Sequence, residues 1–261
     1  MVSHENAAGR PLADANWLEA HHLAKLPERT AFATRLAALR PRRIVDLGCA
    51  TGLWLELLNE VLPANCELIG IDSDEQSLNL ASQRAEPWQR QVSFLKLDLE
   101  ADAADIPAAD LTLAFNIFSY IEDLNSFLTF LSRRSPRGSL VIRQYDGASI
   151  RFGPMPTTDR QQVESTLRVA TNRSERFRHY DLDRAFEFMR QSSYEHGTYE
   201  FELFARTSFP VEFLDYYRGT LRWTRDLLSP TAASLLDTWL SASEENSGRY
   251  FFEVDLVAIL S

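Results

Sequence analysis

The segment RRIVDLGCATGLWLELLNE, residues 42–60, constrains the fold of this chain more than any other. A short apolar run enters a turn with Asp46, Gly48, Ala50 and Gly52 at alternate positions, and an apolar-periodic helix pattern follows at once. Gly48 and Gly52 can take positive φ or let a ligand approach the backbone, and the helix start offers unpaired N–H groups. In doubly wound α/β folds such a turn cradles a phosphate or a nucleoside beyond the C-terminal ends of the strands. The phosphate-loop ending Gly-Lys-Ser/Thr is absent, because Leu53 and Trp54 follow Gly52, and the three-glycine dinucleotide fingerprint is missing. An acid two residues before the first glycine suits an ammonium group better than a pyrophosphate. Asp46 therefore points to a nucleoside cofactor that carries a positive amino group.

The remaining pattern supports a mostly parallel sheet with helices on both faces. Residues 12–40 read as one or two helices closed by Pro41, with Trp17, His21 and Ala24, then Phe32, Leu36 and Leu39, on three- and four-residue spacing. Strands are predicted at 43–48, 67–74, 92–99, within ADLTLAFNIFSYI and at 138–146, with helical patterns between them. Ser73 and Asp74 are capable caps for the second of these helices. ASIRFGPMPTTDRQQ reads as a loop over a sheet edge. A helix, LDRAFEFMRQSSY, and a strand, TYEFELFARTSF, come next; an aromatic-rich helical insertion and a long closing strand, RYFFEVDLVAIL, complete the chain. The expected organisation is a helical lid over 1–40, a core over 41–207, a helical cap insertion over 208–246 and a final core strand over 247–261.

Two later carboxylates extend the first motif. Asp72 lies 24 residues beyond Gly48 at the end of the second strand, where a carboxylate can accept both hydroxyls of a ribose. Asp98 ends the third strand in FLKLDLE, placed for an adenine amine with Leu99 against the ring; a simple helix-cap role is the alternative. VDLGCATG, LIGIDSD and FLKLDLE together resemble the first three motifs of the class I S-adenosylmethionine-dependent methyltransferases, over about residues 40–146 plus the closing strands. The resemblance implies a Rossmann-like sheet of seven strands with the last antiparallel. It also implies S-adenosyl-L-methionine as cofactor, held by Asp46, Gly48, Ala50 and Gly52 around its methionine part, by Asp72 and the adjacent Ser73 near its ribose, and by Asp98 and Leu99 at its adenine. Ala50 stands where the family usually has glycine.

By the same resemblance, residues after the fourth strand, AFNIFSYIED, face the sulfonium and the acceptor. Asn116 has a carbonyl that could accept an N–H from an amine nucleophile without competing for its lone pair, or it could position the cofactor. Tyr120 could assist. At the fifth strand exit, Arg143 is a candidate clamp for a substrate carboxylate, with a salt bridge to Asp146 or Asp110 as the rival, and Tyr145 stands at the mouth. His179 is a candidate substrate contact or general base, although methyl transfer from a sulfonium needs orientation and desolvation more than strong base. Trp17, Tyr216, Tyr217 and Trp223 are candidates for an amphipathic pocket wall, with plain packing as the alternative. No metal site is expected, since adjacent His21 and His22 point different ways on a helix and no other His has ligand spacing.

A formal net charge of −10 disfavours nucleic acid and anionic membranes as partners, and the basic run RLAALRPRR reads as a solvated helix face. Two cysteines are too few for a disulfide framework; with no 18-residue apolar run and no signal-like start, a cytoplasmic protein, monomer or homodimer, is expected. The expected function is methylation of a small molecule, at nitrogen by the Asn116 argument. The alternative keeps the cofactor and changes the reaction. It resembles the azetidine-2-carboxylate synthases, which turn the cofactor's α-amine onto its own γ-carbon and release methylthioadenosine. A cofactor-binding scaffold without activity and a nicotinamide oxidoreductase are further alternatives.

Overall fold

A computed structural model describes residues 13–173, 182–242 and 248–261. Two helices, α1 (Ala15–Ala24) and α2 (Leu26–Ala38), lead into the alternation β1 (Arg43–Leu47), α3 (Leu53–Val61), β2 (Glu67–Asp72), α4 (Glu75–Ala85), β3 (Val92–Lys96), β4 (Leu111–Phe115), α5 (Leu124–Arg134) and β5 (Ser139–Tyr145). Strand order runs β3-β2-β1-β4-β5, all parallel, so the chain reverses direction across the sheet between β1 and β4. That reversal opens a crevice at the C-terminal ends of β1 and β4.

Both faces of β1, β2, β4 and β5 are largely buried, which is why they read as near-continuous apolar runs, while β3 at the sheet edge is only half-buried. Val45, Leu47, Ile69 and Ile71 face α5 and its neighbours, while Ile44, Leu68, Leu111 and Leu113 face α2 and α3. The sheet then continues into the later part of the chain. β6 (Arg151–Gly153), α6 (Thr157–Arg173), α7 (Leu182–Gln191), β7 (Gly197–Arg206), α8 (Val211–Leu227), α9 (Pro230–Ala242) and β8 (Tyr250–Leu260) follow. β8 runs antiparallel to β5 along Asp255–Leu260, to β6 along Tyr250–Phe252 and to β7 along Phe251–Leu260.

The seven strands with an antiparallel last one are therefore present, joined by a short eighth. β6 and α6 occupy the stretch read as an edge loop. The two prolines there, Pro154 and Pro156, fall between β6 and α6, where neither interrupts a hydrogen-bonded element. The aromatic insertion forms α8 and α9, whose buried face packs with Phe152, Phe204 and Phe251 as a third core cluster. α1 lies against α8 so closely that a Cβ on Gly219 would come within 2.1 Å of the Trp17 ring. Only glycine at 219 lets the first helix close over this side of the sheet.

Candidate active site

A cavity of about 670 Å³ opens over the crevice. Its one side is the glycine turn. Gly48, Ala50 and Gly52 all have positive φ, at 68°, 46° and 79°. A Cβ at 48 would also strike Ile117 Cγ2 at 2.6 Å, so both the backbone angle and the space demand glycine there. Ala50 carries its Cβ in the left-handed region, at a cost of roughly 1–2 kcal/mol.

Asp72 fastens this turn to the end of β2. Its Oδ2 accepts the Ala50 N–H at 2.8 Å and its Oδ1 accepts the Asp74 N–H at 2.9 Å. Burial raises its pKa, and these backbone donors act the other way. Asp46, the last but one residue of β1, is 2% exposed, and its Oδ2 has no hydrogen-bond partner. Burial, then the neighbouring Asp72, pushes its pKa up to about 8. An unsatisfied buried carboxyl of this kind is stabilised by a cation. Just past β3, Asp98 Oδ1 accepts the N–H groups of Glu100 and Ala101, both at 2.9 Å, so it caps the following turn while lining the cavity beside Leu99. Ser73 lines the same wall.

The opposite side is built from β4, β5, α1 and α8. Asn116 also has a positive φ, 57°, and its N–H donates to the Arg143 carbonyl at 2.7 Å. Its side-chain Oδ1 accepts the Tyr145 N–H at 2.8 Å, an interaction that fixes which end of the amide is oxygen. With the carbonyl so engaged, the amide nitrogen meets no protein acceptor among the described residues, and Asn116 offers the cavity a donor. Tyr120, Tyr145, Trp17, Tyr216 and Trp223 line this side too. Tyr216 stacks on Trp17 and His21 at ring distances of 5.2 and 4.9 Å, and its hydroxyl donates to Glu253 Oε2 at 2.5 Å.

Two expected residues lie elsewhere. Arg143 alternates to the α2 side of β5, where it pairs with Asp255 and Glu202, both at 2.9 Å, and stacks on Phe32; it does not line the main cavity. Its partners are thus on β8 and β7, not Asp146 or Asp110. Tyr217, one residue round the helix from Tyr216, points away into the third core cluster against Phe152 and Phe209. His179 lies outside the described residues. Among the described residues, no three His, Cys, Asp or Glu side chains gather as a metal site.

Arg29, and His21, which the sequence offers only as part of a helix stripe, also line the cavity. Arg29 is 8% exposed; its Nη1 donates to His22 Nδ1 at 3.0 Å and its guanidinium lies over the Trp54 ring. Its pKa is lowered to about 10 by burial and then by Arg143. The signal was available: Lys25 and Arg29 continue with Phe32 and Leu36 along one helical stripe, so two cations stand where apolar residues belong.

An open parallel sheet with carboxylates closing β1, β2 and the exit of β3 around a positive-φ turn is the arrangement that the sequence resemblance implies. Residues 45–138 match the methyltransferase domain family. Over 137 residues the chain is 31% identical to trans-aconitate 2-methyltransferase of Rhodopseudomonas palustris, covering 51% of each chain. The chain spans about half the length of the curated relatives it matches. The YcgJ protein of Bacillus subtilis superposes with a TM-score of 0.56 at 12% identity, covering 90% of this chain and 97% of its own. An S-adenosylmethionine-dependent methyltransferase of Thiobacillus denitrificans, solved with S-adenosyl-L-homocysteine, gives 0.50 at 16% identity, covering 92% and 97%. At such identities these two structures speak for the fold alone. No helix among the described residues is long and apolar enough to cross a membrane.

Proposed function

We propose that the protein is an S-adenosylmethionine-dependent methyltransferase acting on a small molecule. The observation that carries this reading is the set of three carboxylates, Asp46, Asp72 and Asp98, brought by successive strands to one wall of one cavity. Asp46 would pair with the cofactor's ammonium, Asp72 would accept its ribose hydroxyls, and Asp98 with Leu99 would meet the adenine. The residues fit the group: the unpartnered Asp46 oxygen calls for a cation, and the backbone of the positive-φ turn at Gly48 and Ala50 lines the same cavity. When bound, S-adenosylmethionine supplies an electrophilic methyl group whose departure leaves a neutral thioether. The chain's own task is to orient the acceptor and exclude water, which suits a wall of Trp17, Tyr145, Tyr216 and Trp223. Helix α1 and the α8–α9 pair would serve as lid and cap, and hydrogen exchange in them should slow when cofactor and acceptor are both bound.

The case for a nitrogen acceptor rested on a free Asn116 carbonyl. With that oxygen taken by the Tyr145 N–H, the group left to face the acceptor is a donor, and we read the acceptor atom as oxygen. Trans-aconitate, named in the relatives' activity, is an acid whose nucleophilic atoms are oxygens. The test is incubation with S-adenosylmethionine, first alone and then with candidate acceptors, with products identified by mass spectrometry. The cofactor should persist until an acceptor is supplied and then yield S-adenosylhomocysteine. Release of methylthioadenosine without any acceptor would replace this reading with internal cyclisation.

A further inference from the structure

We infer that the acceptor half of the cavity takes a flat aromatic molecule without a negative charge, seated among the rings of Trp17, Tyr145, Tyr216 and Trp223, with the Thr220 hydroxyl meeting a neutral polar group on it. This rests on the methyltransferase reading and names its substrate class. The sheet itself separates these rings from the cofactor wall. The three carboxylates close β1, β2 and the exit of β3, whereas Tyr145 ends β5, which lies two strands beyond β1 and four beyond β3 in the order β3-β2-β1-β4-β5. Neighbouring strands lie about 4.8 Å apart, so the end of β5 stands roughly 10 Å from the glycine turn and roughly 19 Å from the adenine wall. Trp223 meets the Tyr145 ring at a centroid distance of 6.3 Å, which carries α8 over this end, and Trp17 of α1 stacks on Tyr216 at 5.2 Å. None of these residues falls within 45–138, the stretch that matches the methyltransferase domain family, so that match leaves the acceptor open.

The charges around the cavity disfavour an anionic acceptor. Six carboxylates line it, those of Asp46, Asp72, Asp74, Asp98, Glu100 and Asp226, against a single guanidinium, Arg29. Arg29 lies over the ring of Trp54, the second residue of α3, and so stands beside the glycine turn at the methionine end of the cofactor. Two further cations nearby are engaged: Lys25 pairs with Glu253 and lies 3.5 Å from Asp255, and Arg143 pairs with Asp255 and Glu202. His21 stays neutral, since burial and then the charge of Arg29 hold its pKa well below the usual range. A carboxylate among the four rings would be desolvated, with Asp226 at the rim and no counter-ion on this side among the described residues.

The rings and the hydroxyl supply the opposite preference. Tyr216, Thr220 and Trp223 follow one another at four- and three-residue spacing on α8, so they share the face that lines the cavity. The Tyr216 hydroxyl is given to Glu253, which leaves carbon surface as its contribution. Aromatic rings favour a flat partner by offset or edge-on packing, which a saturated ring of the same size cannot match. Thr220 is 3% exposed and its Oγ1 has no hydrogen-bond partner. A hydroxyl can donate or accept, so it can serve a ring hydroxyl while adding no charge.

The test titrates 2-naphthol, decahydro-2-naphthol, 2-naphthoate and trans-aconitate by NMR into the wild-type protein saturated with S-adenosylhomocysteine. The aromatic alcohol should bind about tenfold or more tighter than the saturated alcohol or the naphthoate, and trans-aconitate should not bind. Trp223→Leu should weaken 2-naphthol binding about tenfold while S-adenosylhomocysteine affinity stays within about twofold, and Thr220→Val should remove the preference for 2-naphthol over naphthalene. Binding of 2-naphthoate or trans-aconitate as tight as that of 2-naphthol, equal binding of the two alcohols, or no binding of 2-naphthol would overturn the inference without any variant having to fold. A loss of S-adenosylhomocysteine affinity of about tenfold in Trp223→Leu, or a preference for 2-naphthol that survives in Thr220→Val, would overturn it by placing the ring or the hydroxyl elsewhere. Failure of S-adenosylhomocysteine to bind the wild type would instead sink the methyltransferase reading beneath it.

Discussion

The two walls of the cavity are built by different means. One comes from three short stretches, each directly following a parallel strand: the turn after β1, the end of β2 and the exit of β3. Its working groups are a few carboxylates and backbone angles, set within about fifty residues of sequence. The other wall joins α1 and α2 to β4, β5, α8 and β8, residues more than two hundred positions apart, over a buried ion-pair network. The first wall is local and repeats a motif that many nucleoside sites share. The second depends on tertiary packing, which is where acceptor choice would reside.

The largest expected effect breaks the second wall. Lys25 and Glu253 are both nearly fully buried, and Lys25 sits at the joint between α1 and α2. Removing one partner of a buried pair strands the other charge, so Lys25→Met should lower unfolding free energy by roughly 3–5 kcal/mol in urea titration. A loss of only a few tenths would mean that this network does not hold the two halves together.

Next is the cofactor wall. Asp72→Ala should weaken S-adenosylmethionine binding at least tenfold by calorimetry, from charge-assisted bonds worth about 1.5–3 kcal/mol, and also loosen the turn that it fastens at Ala50. An unchanged affinity would remove Asp72 from the site.

Asp46 makes the contrast pH-dependent. Its carboxyl is held as the acid up to about pH 8 in the free protein, whereas an unfolded Asp ionises near 4. The folded state thus binds a proton that the unfolded state has lost, and its contribution to stability declines as pH rises between these values. Pairing with an ammonium requires that proton to leave. Cofactor affinity should therefore rise with pH, by up to about tenfold per unit, and level off near 8, with proton release visible as a buffer-dependent heat. Asp46→Asn should abolish the release; persistence of the release in that variant would place its source elsewhere.

The first wall was readable because its information is local. Asp46, Gly48 and Gly52 declare a strand end and a left-handed turn, and Asp72 and Asp98 declare the next two strand ends, with no knowledge of tertiary contacts. What sequence could not give was the second bond each group makes. Asp72 as the clasp of the turn, and Asn116 with its carbonyl given to Tyr145, depend on which backbone N–H comes alongside. Arg143 and Tyr217 were misplaced for a similar reason. One residue of register on a strand, or one step around a helix, sends a side chain to the other face. β6 escaped notice because three residues carry no period to detect.

The smallest effect tests the turn itself. Ala50→Gly should relieve the left-handed strain, raising stability by up to about 1 kcal/mol after glycine's own entropy cost, seen as a small increase in Tm. A decrease would mean that the Ala50 methyl contributes contacts worth more than the strain.

The central claim, that the wall formed by β1, β2 and β3 is a site for S-adenosylmethionine, is tested most directly by titrating the wild-type protein with S-adenosylhomocysteine and, separately, with NAD in the same calorimeter. One equivalent of S-adenosylhomocysteine should bind and NAD should give no heat of binding. Binding of NAD in preference to S-adenosylhomocysteine would contradict the assignment of all three carboxylates.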